Sequence, residues 1–259
     1  MPANARELLT ARIFTHAAFP VMKVVIEDVP AMKRRFQDVK AKVQFMARND
    51  GDTVGAFLVF DEAGFRVEQG VCGDPDITFS FPSVAKMNAM LAGKLVLPSI
   101  KGWTKPGLLI KVFQLLLSLK LMMPNARPKD PERKKLKVKM IFYMITTALS
   151  QYNKGGDPDM TKWTAKQPER IYQMSVEPEG IAAYLRVRGG LTKAGRGYYT
   201  RRRPFVHMRF HGVDGALPVL LKDVAFVESV GKGYVSVEGS PEYAAAMNDF
   251  MQRIQALVT

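Results

Sequence analysis

His207 and His211, with Arg209 between them, occupy alternate positions of "HMRFH". On a strand that spacing puts all three side chains on one face, an arrangement that metal binding or acid–base chemistry can use. A metal would need further ligands, and no His, Cys or Asp cluster supplies them. The pair reads as surface or pocket-mouth histidines. "GLTKAGRG" (190–197) approaches the spacing of a phosphate-cradling loop, but Arg196 replaces the lysine and Gly197 the metal-binding hydroxyl. It reads as a glycine-rich hairpin turn. Cys72 would need a nearby base to act as a nucleophile, and His16, the remaining histidine, gives no sign of pairing with it. Asp74 and Asp76 read as turn and strand-start residues. No reaction can be assembled from these parts, so a non-enzyme with no catalytic residue, no metal and no cofactor is expected.

Binding chemistry is better represented. The net charge is +14, and it is concentrated. Lys101–Lys139 holds eleven Lys/Arg against Asp130 and Glu132, and Arg186–Arg209 holds eight with no acid. Such zones attract phosphate backbones, anionic headgroups or acidic partners, unless they simply form a solvated surface. Anionic contacts are expected from Lys134, Lys135, Lys137, Arg201, Arg202 and Arg203. Beside the first zone lies "KPGLLIKVFQLLLSLKLMMP" (105–124), apolar nearly throughout. As a helix it would span roughly 25 Å, short of the roughly 30 Å of a bilayer core. Lys111 and Lys120 would also lie at depth. A transmembrane span is therefore not expected. A core helix, a cavity-lining helix and a membrane-docking helix stay open.

The make-up, 47% hydrophobic and 24% charged, is that of a globular protein. One cysteine excludes an internal disulfide and fits a reducing compartment. The first residues lack the order of a secretory signal. A cytoplasmic protein is expected, with peripheral membrane association as an extension of that reading.

The elements follow from periodicity. Residues 5–27 have helical spacing, and a short helix follows with Pro30 in its first turn. Strands are expected at 39–49, 53–61, 64–71 and 76–82, then a helix over 83–94 with Ser83 as N-cap and Gly93 at its end. The apolar helix comes next, then a basic linker "NARPKDPERKKLKVK" and a helix over 140–152. Strands recur at "RIYQMSVEP", "GIAAYLRVRGG", "GRGYYT", 203–212 and 233–239, with a short helical piece at "VDGALPVLLKD". A last helix starts with Ser240 as N-cap and Pro241 behind it. "GAFLVFDEAGFRVEQGVCGDPDITFSFPSVAKMNAMLAGKL" corresponds in plan to "AAYLRVRGGLTKAGRGYYTRRRPFVHMRFHGVDGALPVLLKDV", which favours two related units over one larger sheet. The expected fold class is α+β, with mixed sheets backed by helices. Expected divisions are 1–104, 105–167 and 168–259.

The segment with Pro75-Asp76-Ile77-Thr78-Phe79-Ser80 and Gly93-Lys94 resembles the sterol carrier protein type 2 family of lipid-binding domains. "RRRPFVHMRFHGVDGALPVLLKDV" is similar in plan, with Gly233–Gly239 in the place of the family's last strand and the final helix in that of its closing helix. The resemblance covers roughly residues 50–100 and, more loosely, 168–258. It implies a five-stranded mixed sheet backed by helices, with an apolar tunnel between them for a lipid, acyl chain or sterol. Residues 105–152 depart from the family as a helical insertion between the units. Under this reading the expected lining is Phe79, Phe81, Met87, Met90, Leu91, Phe113, Leu116 and Leu117, with Phe205, Met208 and Phe210 in the second unit. Fifteen Met residues suit a shape-tolerant apolar site. The expected function is non-catalytic binding or transfer of a hydrophobic ligand, with an anionic membrane surface or acidic partner as the second contact. Nucleic-acid binding through "YYTRRRPFVHMRF" and "PERKKLKVK", and an acyl-lipid enzyme on the same fold, are the alternatives.

Overall fold

Helical spacing near the N-terminus becomes one continuous helical segment. It comprises α1 (Ala5–Ile13), a π-helical stretch (Phe14–Ala18) and α2 (Phe19–Asp28). Asn4 and Glu7 open it with a reciprocal capping box. The structure, a computed structural model, describes residues 2–258. Among them Ala5–Asp28 is long and apolar enough to cross a membrane, but 67% of its most apolar window is buried inside the protein. The segment therefore serves as a core helix of the fold.

The chain divides into two compact units. One runs to Leu121 and takes in the last C-terminal residues, and the other is Met122–Ala256. The first continues with α3 (Pro30–Phe36), β1 (Ala41–Asn49), β2 (Asp52–Asp61), β3 (Gly64–Gln69), β4 (Ile77–Phe81), α4 (Val84–Leu91), β5 (Ser99–Lys101) and α5 (Pro106–Ser118). The sheet order is β3-β2-β1-β4-β5, antiparallel throughout except for the parallel pair β1–β4. Alternation on the central strand puts Val43, Phe45 and Ala47 on the inner face, in register with Ile77, Phe79 and Phe81 of β4. The helices cover that face: Phe19 of α2 meets Phe45 at 5.0 Å between ring centroids.

The second unit contains α6 (Pro131–Lys154), α7 (Pro158–Ala165), β6 (Arg170–Glu177), β7 (Ile181–Arg188), β8 (Leu191–Arg196), β9 (Val206–His211), α8 (Gly212–Leu220), α9 (Phe226–Gly231) and β10 (Val235–Gly239), and most of α10 (Pro241–Val258) belongs to it. Its sheet order, read from the other edge, is β8-β7-β6-β9-β10, again with one parallel pair, β6–β9. The two sheets thus share strand order and strand sense. The architecture is α+β with two mixed five-stranded sheets and helices.

Several elements differ from the sequence expectation. The basic linker is half helix, because Asp130 caps α6 by accepting from the Arg133 amide at 2.8 Å, with Pro131 and Glu132 in the first turn. The strand expected at "GRGYYT" lies earlier, at Leu191–Arg196, paired to β7 through the Gly189-Gly190 turn. β5, α7 and α9 were not foreseen.

Each sheet ends on a glycine that passes close over the start of its parallel strand. Gly102 has φ +93, and a Cβ there would lie 2.2 Å from the Asp76 carbonyl oxygen. Gly239 has φ +98, and its Cβ would lie 2.0 Å from the Phe205 carbonyl oxygen. Gly51 also has positive φ, but nothing lies within 4 Å of its added Cβ. Gly51→Ala is expected to cost only the left-handed penalty, about 1 kcal/mol. Gly102→Ala and Gly239→Ala should cost about 2 kcal/mol more, since backbone must shift. Urea denaturation midpoints of the three variants check this ordering.

Candidate ligand-binding site

The residues expected to line an apolar site in the first unit gather around β4 and α5. Phe79 is fully buried and stacks on Phe45, with centroids 4.7 Å apart and planes 7° from parallel. Phe113 of α5 approaches Phe79 edge-on at 5.7 Å. Phe81 and Met87 are buried, Met90, Leu91 and Leu116 are half-buried, and Phe113 and Leu117 are exposed. β4 delivers Phe79 and Phe81 to one face by alternation. Ser83 starts α4 by accepting the Lys86 amide at 3.3 Å, and Met87 lies on the buried side of that helix.

α5 is tied at its N-terminal end. Asp76 receives the Lys42 amide at 2.7 Å and pairs with Lys105, the residue preceding α5. Burial alone would raise the Asp76 carboxyl, but Lys105 and the Lys42 amide hold it below the ordinary value. Arg35 of α3 donates to Gln114 on α5. Leu109, Val112 and Leu115 face inward. On the other side Ile110, Phe113 and Leu117 are 59%, 40% and 55% exposed, and Leu95, Leu97 and Trp103 nearby in sequence are also exposed.

In the second unit Met208 is fully buried, and Phe210 packs edge-on against Phe142 of α6 at 5.4 Å. Phe205 is half-buried, edge-on to Tyr243 at 5.2 Å and covered by the Arg170 guanidinium at 4.0 Å.

The basic residues separate into kinds that charge counting could not distinguish. Arg201, Arg202 and Arg203 are exposed, Arg202 lying 3.9 Å from Glu169. Lys135 pairs with Glu132 at 2.9 Å and Lys134 with Asp214 at 2.6 Å. Lys137 corrects the expectation of a surface contact. Its side chain is fully buried and donates to the carbonyls of Met123 at 2.8 Å and Ala126 at 2.7 Å. Burial, with Arg127 nearby, lowers its ammonium to about 8. It fastens the segment preceding α6, and cannot touch a membrane.

His207 is also not at the surface: it is 7% exposed, whereas His211 is exposed. His207 Nε2 lies 2.8 Å from Ser175 Oγ, which resembles a nucleophile and its base. The other ring nitrogen decides the matter. Arg209 Nε donates to His207 Nδ1 at 3.3 Å, so Nδ1 accepts and Nε2 carries the proton. Ser175 Oγ then accepts from His207 and donates to Glu177 Oε1 at 3.2 Å. In that tautomer the imidazole cannot take the serine proton, and the pair works as a structural bond between β6 and β9.

A cleft the sequence did not mark lies on the outer face of the second sheet. It has a volume of about 160 Å3 and is lined by Tyr184, Arg186, Lys193, Tyr198, Tyr199, Thr200 and Arg201. The available signal was period-two spacing, Tyr184 and Arg186 on β7, with Lys193 just beyond the hairpin.

Burial first, and Arg209 second, push His207 below its ordinary value of 6.5, against the opposite pull of Glu238 and Glu177. A depressed imidazole contributes stability that is complete above the unfolded value and is lost as pH falls through the folded one. The denaturation midpoint should therefore drop as pH falls below about 6.5, and His207→Gln should flatten that dependence. Urea titrations across that range measure it.

No family model and no curated protein matches the chain. Among solved structures it is similar to sterol carrier protein domain 2 of Helicoverpa armigera, at 19% identity and TM-score 0.31, over 45% of this chain and 94% of that one. It is also similar to the UbiJ-SCP2 ubiquinone synthesis protein, at 11% identity and TM-score 0.30, over 48% and 97%. A stereoselective inverting sec-alkylsulfatase from a Pseudomonas species matches at 10% identity and TM-score 0.26, over 55% of this chain. The chain spans 28% of the length of that sulfatase. At these TM-scores the likenesses are slight.

Proposed function

We propose that the chain binds a hydrophobic ligand of acyl-lipid or sterol type, and that α5 carries the contact. One observation supports this most directly. α5 is apolar on its buried side, through Leu109, Val112 and Leu115, and apolar again on its exposed side, through Ile110 and Leu117, with Phe113 at the border, edge-on to the buried Phe79. A helix apolar on two opposite sides is ordinarily covered on both. Burying each exposed side chain of this size would contribute about 1.5–3 kcal/mol, which is enough to hold a ligand without directed bonds. The resemblance of residues 50–100 to sterol carrier domains supports the same reading. The exposed Arg201–Arg203 run supports a second contact with an anionic membrane surface. Nucleic-acid binding would instead show as steep salt dependence with generic RNA or DNA.

Native mass spectrometry followed by organic extraction tests the proposal. The expected result is a stoichiometric acyl lipid or sterol, with occupancy falling at least about tenfold in Ile110→Ser/Leu117→Ser, a loss of about 1.4 kcal/mol or more. An apo mass unchanged after incubation with fatty acids, acyl-CoA and sterols would overturn it.

A further inference from the structure

The cleft on the outer face of the second sheet breaks a rule of strand pairing. Arg186 of β7 stands directly opposite Lys193 of β8, and like charges in that relation repel. Arg201 adds a third cation from the segment that crosses the sheet between β8 and β9. Among the described residues no carboxylate lies at ion-pair distance from any of the three. The acid beside the cleft, Glu177, accepts from the Tyr198 hydroxyl at 3.4 Å and lies 4.0 Å from Arg209.

The remaining walls are held in place. Tyr184 stands opposite Gly195, and a Cβ on Gly195 would lie 2.1 Å from the Tyr184 ring. Only glycine there lets the ring lie across β8. Tyr199 meets that ring edge-on at 5.0 Å. Its backbone amide donates to Gln173 Oε1 at 2.9 Å, and Gln173 is itself buried.

We propose that this cleft binds a phosphate monoester. Three cations with no internal acid suit a dianion, guanidinium groups donate to phosphate oxygens in pairs, and the tyrosines offer hydroxyl donors beside an aromatic wall. The inference does not depend on the hydrophobic ligand proposed for α5, because it rests on a different face in a different unit.

The full chain is titrated with glycerol 3-phosphate by NMR, and sedimented with phosphatidylcholine vesicles with and without phosphatidic acid. Saturable shifts from the tyrosines of the cleft are expected, weakening as salt rises. Arg186→Gln/Lys193→Gln should lower affinity at least about tenfold while its melting temperature holds or rises, since a repulsive pair is gone. Gly195→Ala, which alters no charge, should also weaken binding by displacing Tyr184. Retention on phosphatidic-acid vesicles that glycerol 3-phosphate competes away would support the proposal with a lipid headgroup as the source. Saturable binding of glycerol 3-phosphate without such retention would support it with a soluble monoester. Failure of saturable binding in both arms, or binding unchanged in the double variant, would overturn it.

Discussion

Each sheet depends on one buried glutamine side chain. After its third strand the chain must cross from the sheet edge, over two strands, to begin the strand that runs parallel to the first. That crossing lays backbone across the outer face, where its polar groups lose water and need partners. In the first unit the Cys72 amide donates to Gln44 Oε1 at 2.5 Å. In the second the Tyr199 amide donates to Gln173 Oε1 at 2.9 Å. Gln44 stands opposite Thr78 in the parallel pair and Gln173 opposite His207, so the two glutamines occupy equivalent register positions. Both are buried, at 3% and 1% exposure. Leaving such an amide unpaired would cost about 1–3 kcal/mol, and the parallel pairing would be weakened with it.

The same device yields different surfaces because the crossings differ. Residues 70–76 form a short one in the first unit, and 197–205 a longer one in the second. The longer segment carries Tyr198, Tyr199 and Arg201 out over β7 and β8, and so builds a cleft. Gln173 also donates through Nε2 to the Ala183 carbonyl at 2.9 Å and the Gly197 carbonyl at 3.3 Å, fixing the start of that segment. In the first unit the distinctive feature comes later, after β5, where Lys105 and Asp76 fix the beginning of α5.

Local signals made much of this legible. Alternation located β1, β2, β3 and β4, and Ser83 and Pro241 marked real helix starts. What escaped was set by long-range partners. Lys137 belongs to a basic run in the sequence, yet its ammonium turns inward to two carbonyls that periodicity cannot point to. His207 shares a strand face with Arg209, and only the neighbouring β6 supplies the Ser175 that explains its burial. In the sequence Gln44 and Gln173 are only polar residues within strands. Their role exists only once the crossing segment lies over them. β5 has three residues, too few for any periodic signal, and is held by pairing with β4.

Two departures from self-consistency bear on binding, and they are opposite in chemistry. α5 shows apolar side chains to water on the face turned away from its own core. β7 and β8 set two cations against each other with no acid between them. Neither serves the unit that carries it: the first wastes hydrophobic burial and the second adds repulsion. A foldable sequence is locally consistent except where another demand overrides stability. Gly195 makes the second case stronger, because a glycine within a strand lowers stability and here its effect is to seat Tyr184 beside the unpaired cations. The two proposed ligands would use these two places, through apolar contact in one unit and anionic contact in the other.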